Sequence, residues 1–189
     1  NLRTIPSGAF STCMGLTGDL VIPDGVAEIG SSAFSDCVKL DGALTIPDSV
    51  LEIGEYAFAR CERLSGTLVL PDSITEIKPY TFYNCGGLTG DLIIPDSIVR
   101  IGERAFGDCA GFDGVLRLPK DILAVEDYAF SGCSGLSGTL EIPDGVTSIG
   151  EAAFLYCGGF TGKLELPEHL AEIGPYAFNN CTGFTGTLD

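Results

Sequence analysis

The amino-acid sequence predicts a repeat solenoid with a parallel β-sheet along one face and short strands, turns and 3₁₀ segments elsewhere. The first observation behind this prediction is a period of 24 residues that runs through the chain without insertion or deletion. The second is that apolar and polar positions alternate over a short segment of each unit, as in a β-strand. One unit of this size cannot bury its own apolar residues, whereas stacked units cover one another.

The period is clearest for cysteine, phenylalanine and glycine. The cysteines are Cys13, Cys37, Cys61, Cys85, Cys109, Cys133, Cys157 and Cys181. A phenylalanine precedes each of them by three residues and a glycine follows by five. We therefore predict one solenoid over 1–189, with a partial repeat at 1–15, full repeats at 16–39, 40–63, 64–87, 88–111, 112–135, 136–159 and 160–183, and a partial repeat at 184–189.

The unit at 88–111, "LTGDLIIPDSIVRIGERAFGDCAG", illustrates the elements. "DLIIP" has the alternation of a strand, which Pro95 ends because proline cannot donate to a ladder. Pro-Asp favours a turn. We expect an extended segment or short strand at "VRIG" and a single helical or 3₁₀ turn around "AFGDC".

Eight positions of each unit are predicted to point inward. In this unit they are Leu88, Leu92, Ile94, Ile98, Ile101, Ala105, Phe106 and Cys109. Phenylalanine is the largest of them and should form a continuous spine along the stack. The glycine of the L-x-G-x-L segment is present in all eight copies, which indicates either φ > 0 or a close backbone approach.

The repeated pattern I-P-D-x-V-x-x-I-G-x-x-A-F-x-x-C resembles the BspA-type leucine-rich repeats of bacterial and some protist cell-surface proteins. The resemblance covers the whole chain and implies a leucine-rich-repeat-like curved solenoid at the cell surface or outside the cell. It further implies adhesion to host or matrix proteins. The family shares no catalytic residues, so the resemblance transfers none.

Composition excludes several partners. The 26 acidic and 10 basic residues give a net charge of −16, which disfavours nucleic acid and anionic membranes because both require clustered Lys and Arg. No apolar run reaches the ~18 residues of a membrane helix. We predict no cofactor and no direct membrane insertion.

The cysteines and the acidic turn residues could in principle hold disulfides or metals. In-register thiols form a line rather than a convergent zinc site, and we expect a buried ladder of free thiols, with a disulfide between neighbours as the alternative. The carboxylates after each proline are Asp24, Asp48, Asp72, Asp96, Asp144 and Glu168, interrupted by Lys120. Turn chemistry on a solvated acidic edge explains them, and a calcium site is the alternative. We predict no metal site.

Basic residues concentrate at Arg100, Arg104, Arg117 and Lys120. In register, Arg100 neighbours Glu76, Arg117 neighbours Glu141, and Lys120 lies between Asp96 and Asp144. Arg104 falls between Tyr80 and Tyr128, where it can form a cation–π contact. Charge relief on an acidic solenoid explains this cluster, and an anion or carboxylate site is the alternative.

The outward strand positions form one row and are the predicted ligand-binding site. They are Val21, Thr45, Val69, Ile93, Arg117, Glu141 and Glu165. Solenoids bind partners on such a face, although the β-propensity of Val, Thr and Ile explains the first four equally well.

These observations favour a non-enzymatic binding module for an extracellular protein or glycan over a passive spacer. The sequence contains few side chains suited to catalysis, because His169 is its only histidine. The recurring tyrosines 56, 80, 128 and 176 are expected to pack over neighbouring turns. Because both ends of the sequence cut through a repeat, we also expect end-to-end stacking of copies.

Overall fold

The computed structural model describes residues 2–188 and is a parallel β-solenoid in which each 24-residue unit forms one turn. These residues form short strands joined by turns, and no helix occurs among them. The strands are β1 (Thr4–Ile5), β2 (Leu20–Val21), β3 (Glu28–Ile29), β4 (Leu44–Thr45), β5 (Glu52–Ile53), β6 (Glu76–Ile77), β7 (Leu92–Ile93), β8 (Arg100–Ile101), β9 (Leu116–Arg117), β10 (Ala124–Val125), β11 (Ser148–Ile149) and β12 (Glu172–Ile173).

The strands form two parallel ladders along the solenoid. The first ladder, at the predicted strand position, consists of the pairs β2–β4 and β7–β9. The second, at the position where the sequence predicts an extended segment or short strand, consists of β1–β3–β5, β6–β8 and β10–β11–β12. Pairing follows the 24-residue register, so Leu20 lies opposite Leu44 and Ile29 opposite Ile53. A strand thus occurs at the second position in every unit, whereas the first ladder is interrupted.

Aspartates explain where the first ladder forms. Between the turns that contain β2 and β4, the Asp19 Oδ1 accepts from the Ala43 amide at 2.8 Å and the Asp41 Oδ1 accepts from the Gly18 amide at 2.8 Å. Asp91 and Asp113 make the same reciprocal bonds between the turns of β7 and β9. Elsewhere, neighbouring turns are joined near the L-x-G-x-L segment by isolated parallel bridges, such as that between residues 66 and 88.

The predicted requirement for glycine in L-x-G-x-L is confirmed, with both of its causes present. Gly90 has φ +79°, a conformation in which other residues are strained. Gly114 has no such φ, but a Cβ there would lie 2.0 Å from the Asp91 Oδ1 and 2.7 Å from the Asp91 amide nitrogen. Glycine is therefore needed for backbone conformation in one turn and for close approach in the next.

The segment around "AFGDC" differs from the predicted helical turn. The amide of Phe106 bonds to Ala129 O of the next turn at 2.9 Å, while the amide of Cys109 bonds back to Phe106 O at 3.3 Å. Arg104 and Asp108 adopt φ of 50° and 59°. Left-handed residues four positions apart prevent a continuous 3₁₀ helix, and the chain instead forms consecutive turns whose alternate amides bond to the neighbouring unit.

The core matches the predicted inward positions. All eight inward side chains of the unit at 88–111 are 0% exposed. The phenylalanines from Phe10 to Phe178 stack as the predicted continuous spine, with ring centroids of successive turns 5.1–5.6 Å apart and planes within 7° of each other. The parallel rings therefore repeat once per turn, in step with the backbone ladders.

The cysteines lie beside this spine as free thiols, and those from Cys37 to Cys157 are buried. The Cys109 Sγ donates to the Phe82 carbonyl oxygen at 3.0 Å, and six other thiols bond in the same way to the phenylalanine 27 residues before them. Burial raises the pKa of Cys61 and of Cys109 to about 12. A small side chain with one weak donor fits this place because the carbonyl still has a free lone pair.

Truncating the spine at its centre should be costly. We expect Phe106→Ala to lower the free energy of unfolding by ~3–5 kcal/mol, because the ring is fully buried between two others. Phe10→Ala is the matched control, since that ring is 41% exposed and should cost clearly less. Denaturant titration measures both, and equal losses would contradict a cooperative spine.

The energetic cost of a left-handed backbone can be measured by substituting glycine at two adjacent alanines. Ala152 has φ 51° and Ala153 follows it, and both are buried. A left-handed backbone costs a non-glycine residue roughly 1–2 kcal/mol, so Ala152→Gly should be more stable than Ala153→Gly by at least about 1 kcal/mol. Both variants lose one buried methyl group, which makes the difference specific to the backbone. Equal stability in thermal or chemical unfolding would refute this assignment.

The thiol ladder predicts a steep loss of stability at alkaline pH. The folded-state pKa values are raised, so the folded chain keeps thiol protons that the unfolded chain loses above about pH 8.5. Stability is therefore full below that pH and falls as pH rises, by about 1.4 kcal/mol per pH unit for each buried thiol. Replacing Cys85, Cys109 and Cys133 with Ala should reduce this slope between pH 8.5 and 10, and an unchanged slope would overturn the prediction.

Candidate functional site

The outward row of the first ladder is a continuous exposed face. All seven predicted residues are exposed, with Val21 and Val69 at 61% and 70%. Val21, Thr45, Ile93 and Arg117 lie on β2, β4, β7 and β9, and the other three occupy the same register in turns without a strand. The inward neighbours in each segment anchor the row, because Leu92 and Ile94 are fully buried on either side of Ile93.

The C-terminal half of this face contains a cleft of about 1090 Å³. It brings together Ile93, Arg117, Glu141 and Glu165. The other three predicted residues do not line it. The walls of the cleft come from the flanking rows, Val115, Thr139 and Lys163 on one side and Lys120, Asp144 and Glu168 on the other. The predicted row is thus divided into an open apolar part and a charged cleft.

Charges in the cleft are partly paired. Arg117 Nη2 lies 2.9 Å from Asp96 Oδ2, so its ion pair is with the acidic turn and not with the neighbouring Glu141 that the register suggests. The Asp96 Oδ1 also accepts from the Lys120 amide at 3.1 Å, and this bond is the main reason that the pKa of Asp96 is lowered. The Lys163 Nζ lies 4.0 Å from Glu165. The cleft offers both signs of charge to a ligand.

The four clustered basic residues do not form one site. Arg100 lies on the second ladder and bridges Glu76 and Glu126, each at 3.2 Å, which confirms the predicted Glu76 contact. Arg104 stands over the Tyr128 ring, with Cζ 4.1 Å from the centroid, which confirms the predicted cation–π contact. Only Arg117 and Lys120 share the cleft. Arg100 and Arg104 therefore balance charge on faces outside the cleft.

The tyrosines mainly contact neighbouring turns, as predicted. Tyr56 stacks on Tyr80 with centroids 4.6 Å apart. The Tyr80 hydroxyl donates to Glu103 at 2.8 Å, and burial together with this bond raises the pKa of Tyr80 to about 12. Tyr176 is 67% exposed and is the exception. Stacked rings leave little free aromatic face for a sugar.

Residues 2–188 contain neither a metal-binding cluster nor a helix that could span a membrane. Histidine, cysteine and acidic side chains in that range form no group of three or more that could hold a metal ion. The same residues include no helix of the length and hydropathy needed to cross a bilayer.

Sequence reasoning missed a second exposed apolar row. Leu51, Val99 and Leu123 are 61–62% exposed and precede the second-ladder strands β5, β8 and β10. Their signal in the sequence was the first variable position of V-x-x-I-G, which is apolar in every unit from 27 to 171 except at Thr75 and Thr147. This row lies beside the Arg100 ion pairs, outside the cleft.

Fold and surface together define a leucine-rich-repeat-type solenoid with one open sheet face. Residues 1–113 and 114–186 match the family model of the BspA type leucine-rich repeat region, in six copies. The chain belongs to this family.

Two solved structures place the fold among bacterial proteins. The chain is similar to a leucine-rich repeat protein of T. pallidum, with 30% identity and a TM-score of 0.70 over 97% of this chain and 72% of that one. It is also similar in fold to a leucine-rich cell surface protein of Faecalibacterium prausnitzii A2-165, with 24% identity and a TM-score of 0.59. That match covers 96% of this chain and 63% of the F. prausnitzii protein, so the chain spans less than two thirds of its length. No curated protein matches.

Proposed function

We propose that this chain is a non-enzymatic interaction module, at the cell surface or secreted, that adheres to an extracellular protein or glycan through the outward face of the first ladder. The observation that carries the proposal is the exposure of all seven outward residues in one row, four of which line a single cleft. Repeat solenoids use such extended faces for binding. Family membership and the cell-surface description of the F. prausnitzii protein support the location.

The identity of the outward residues also supports a binding role. A purely structural sheet face has no need for Arg117, Glu141 and Glu165 where earlier units have Val and Ile. Strand propensity favours β-branched residues at these positions. The change from apolar to charged residues along one row therefore runs against strand propensity, and it creates a surface with distinct recognition chemistry.

A passive spacer is the second candidate. The uniform stacking of rings and strands at constant intervals favours it, because eight stacked turns make a rod of roughly 40 Å that can hold another domain away from a surface. A spacer requires no particular residue on the sheet face.

A binding screen separates the two candidates. The purified chain is presented to extracellular-matrix proteins and glycans together with the double variant Ile93→Glu, Arg117→Glu. We expect binding by the unmodified chain and a loss of tenfold or more in the variant, because both residues line the cleft.

The matched control is Val99→Glu, Arg63→Glu, which makes similar substitutions at exposed positions away from the cleft. It should bind like the unmodified chain, and circular dichroism should show that both variants are folded. Equal losses in the two variants would refute the first-ladder face as the site. No binding by the unmodified chain would favour the spacer.

A further inference from the structure

The N-terminal half of the first-ladder face is a largely apolar stripe of Val21, Thr45, Val69 and Ile93. Of these four residues, only Ile93 also lines the cleft. The three large residues of the stripe are 40–70% exposed. They lie in successive or alternate turns of the solenoid, so they form one line parallel to its axis. An exposed line of this kind, in which Thr45 is the one polar residue, can mark an interaction surface.

Carboxylates border the stripe on both sides. Asp24, Asp48 and Asp72 follow its residues by three positions in three successive turns and are exposed. Within residues 2–188 these three form no ion pair, whereas the next carboxylate in the row, Asp96, pairs with Arg117. On the other side are Asp19 and Asp91, also exposed. The apolar half of the face therefore has acidic rims that complement a basic partner.

The spacing of the stripe selects the partner's secondary structure. Val21, Thr45 and Ile93 of the stripe lie on paired parallel strands, which are spaced about 4.8 Å apart, and the phenylalanine rings of the same turns lie 5.1–5.6 Å apart. An α-helix has a pitch of about 5.4 Å, so side chains at i, i+4, i+7 and i+11 match the turns one by one. Same-face residues of a β-strand lie about 6.6–6.8 Å apart and would be out of register by roughly 4–6 Å after three turns, whereas a helix would be out of register by at most about 2 Å.

We propose that the apolar stripe binds an amphipathic α-helix of a protein partner, aligned with the solenoid axis, whose apolar face is flanked by Lys and Arg. This inference rests on the proposed function and specifies its ligand. Val21 and Ile93 are three turns apart, roughly 14–17 Å from the strand and ring spacings, a distance that a helix of about 10–11 residues spans. The basic residues of the helix meet Asp24, Asp48 and Asp72 on one rim. Helix-in-groove recognition uses such spaced apolar anchors.

Two displayed peptide libraries test the proposal. One varies the exposed face of a helical scaffold, the other varies an exposed β-strand of a strand scaffold, and both are selected on the full chain. We expect enrichment from the helical library, with apolar residues at i, i+4 and i+7 beside Lys or Arg. Enrichment from the strand library, or of helices with acidic flanks, would overturn the proposal.

Individual binders are then measured against matched variants. Val69→Glu should weaken binding by about tenfold or more, since it places a charge at the centre of the stripe. Val99→Glu is the control, an equal substitution at a position 61% exposed beside the second ladder, and should change affinity less than about twofold. Asp48→Asn, Asp72→Asn alters no apolar contact and should reduce the association rate and its dependence on salt. This last variant keeps the test decisive if Val69→Glu is not folded.

The outcomes distinguish this inference from the proposed function. If the selected binders are lost with Arg117→Glu, Glu141→Lys but survive Val69→Glu, the face binds ligands at the cleft and the helix proposal is wrong. If no library yields a binder of micromolar affinity while matrix proteins bind the face, the helix proposal is again wrong and the proposed function stands. If neither libraries nor matrix components bind, both fail.

Discussion

The stacking of each turn on the next is the constraint on which the rest of this protein depends. In the segment before each cysteine, backbone amides alternate between two kinds of acceptor, a carbonyl of the same turn and a carbonyl of the next turn. The amide of Phe34, for example, donates to Ala57 O of the next turn at 2.8 Å. In the core, the phenylalanine rings and the cysteine thiols likewise repeat once per turn. A residue inserted anywhere in a unit would displace a ring, a thiol and several amides together. The uniform 24-residue period is the consequence of this coupling.

Left-handed residues make this alternation feasible. Ser32 and Asp36 have φ of 56° and 59°, and equivalent pairs recur in the other units. From Gly8 to Tyr156, each such residue donates its own amide to a carbonyl oxygen of the next unit. The conformational cost is repaid by an inter-turn hydrogen bond that a 3₁₀ segment would not form. Tyrosine and arginine at the first of these positions add stacking between turns, as Tyr56, Tyr80, Arg104 and Tyr128 do.

Because the interior is so constrained, units differ there mainly by exchanges between apolar side chains, such as Leu88 and Phe112, whereas differences in charge lie on the surface. The first-ladder face changes from valine and isoleucine to arginine and glutamate along its length, and the second ladder combines an exposed apolar row with the ion pairs of Arg100. Within the first ladder, the reciprocal bonds of Asp19 with Asp41 and of Asp91 with Asp113 occur in only two places among residues 2–188, so they distinguish these units from the others. Recognition, in the function proposed above, uses these variable positions, since altering them leaves the ring and thiol stacks intact.

The sequence by itself determined the solenoid, its period, the eight inward positions of each unit and the exposed row from Val21 to Glu165, because these follow from periodicity and the need to bury apolar side chains. It also indicated the contacts of Arg100 with Glu76 and of Arg104 with Tyr128, since in-register residues are spatial neighbours. Only the tertiary structure decided that the second ladder is the more continuous and that Arg117 pairs with Asp96. It also decided that the outward row is part apolar stripe and part cleft. These features depend on left-handed backbone, on side-chain directions across turns and on which rows converge, and a one-dimensional pattern contains none of these.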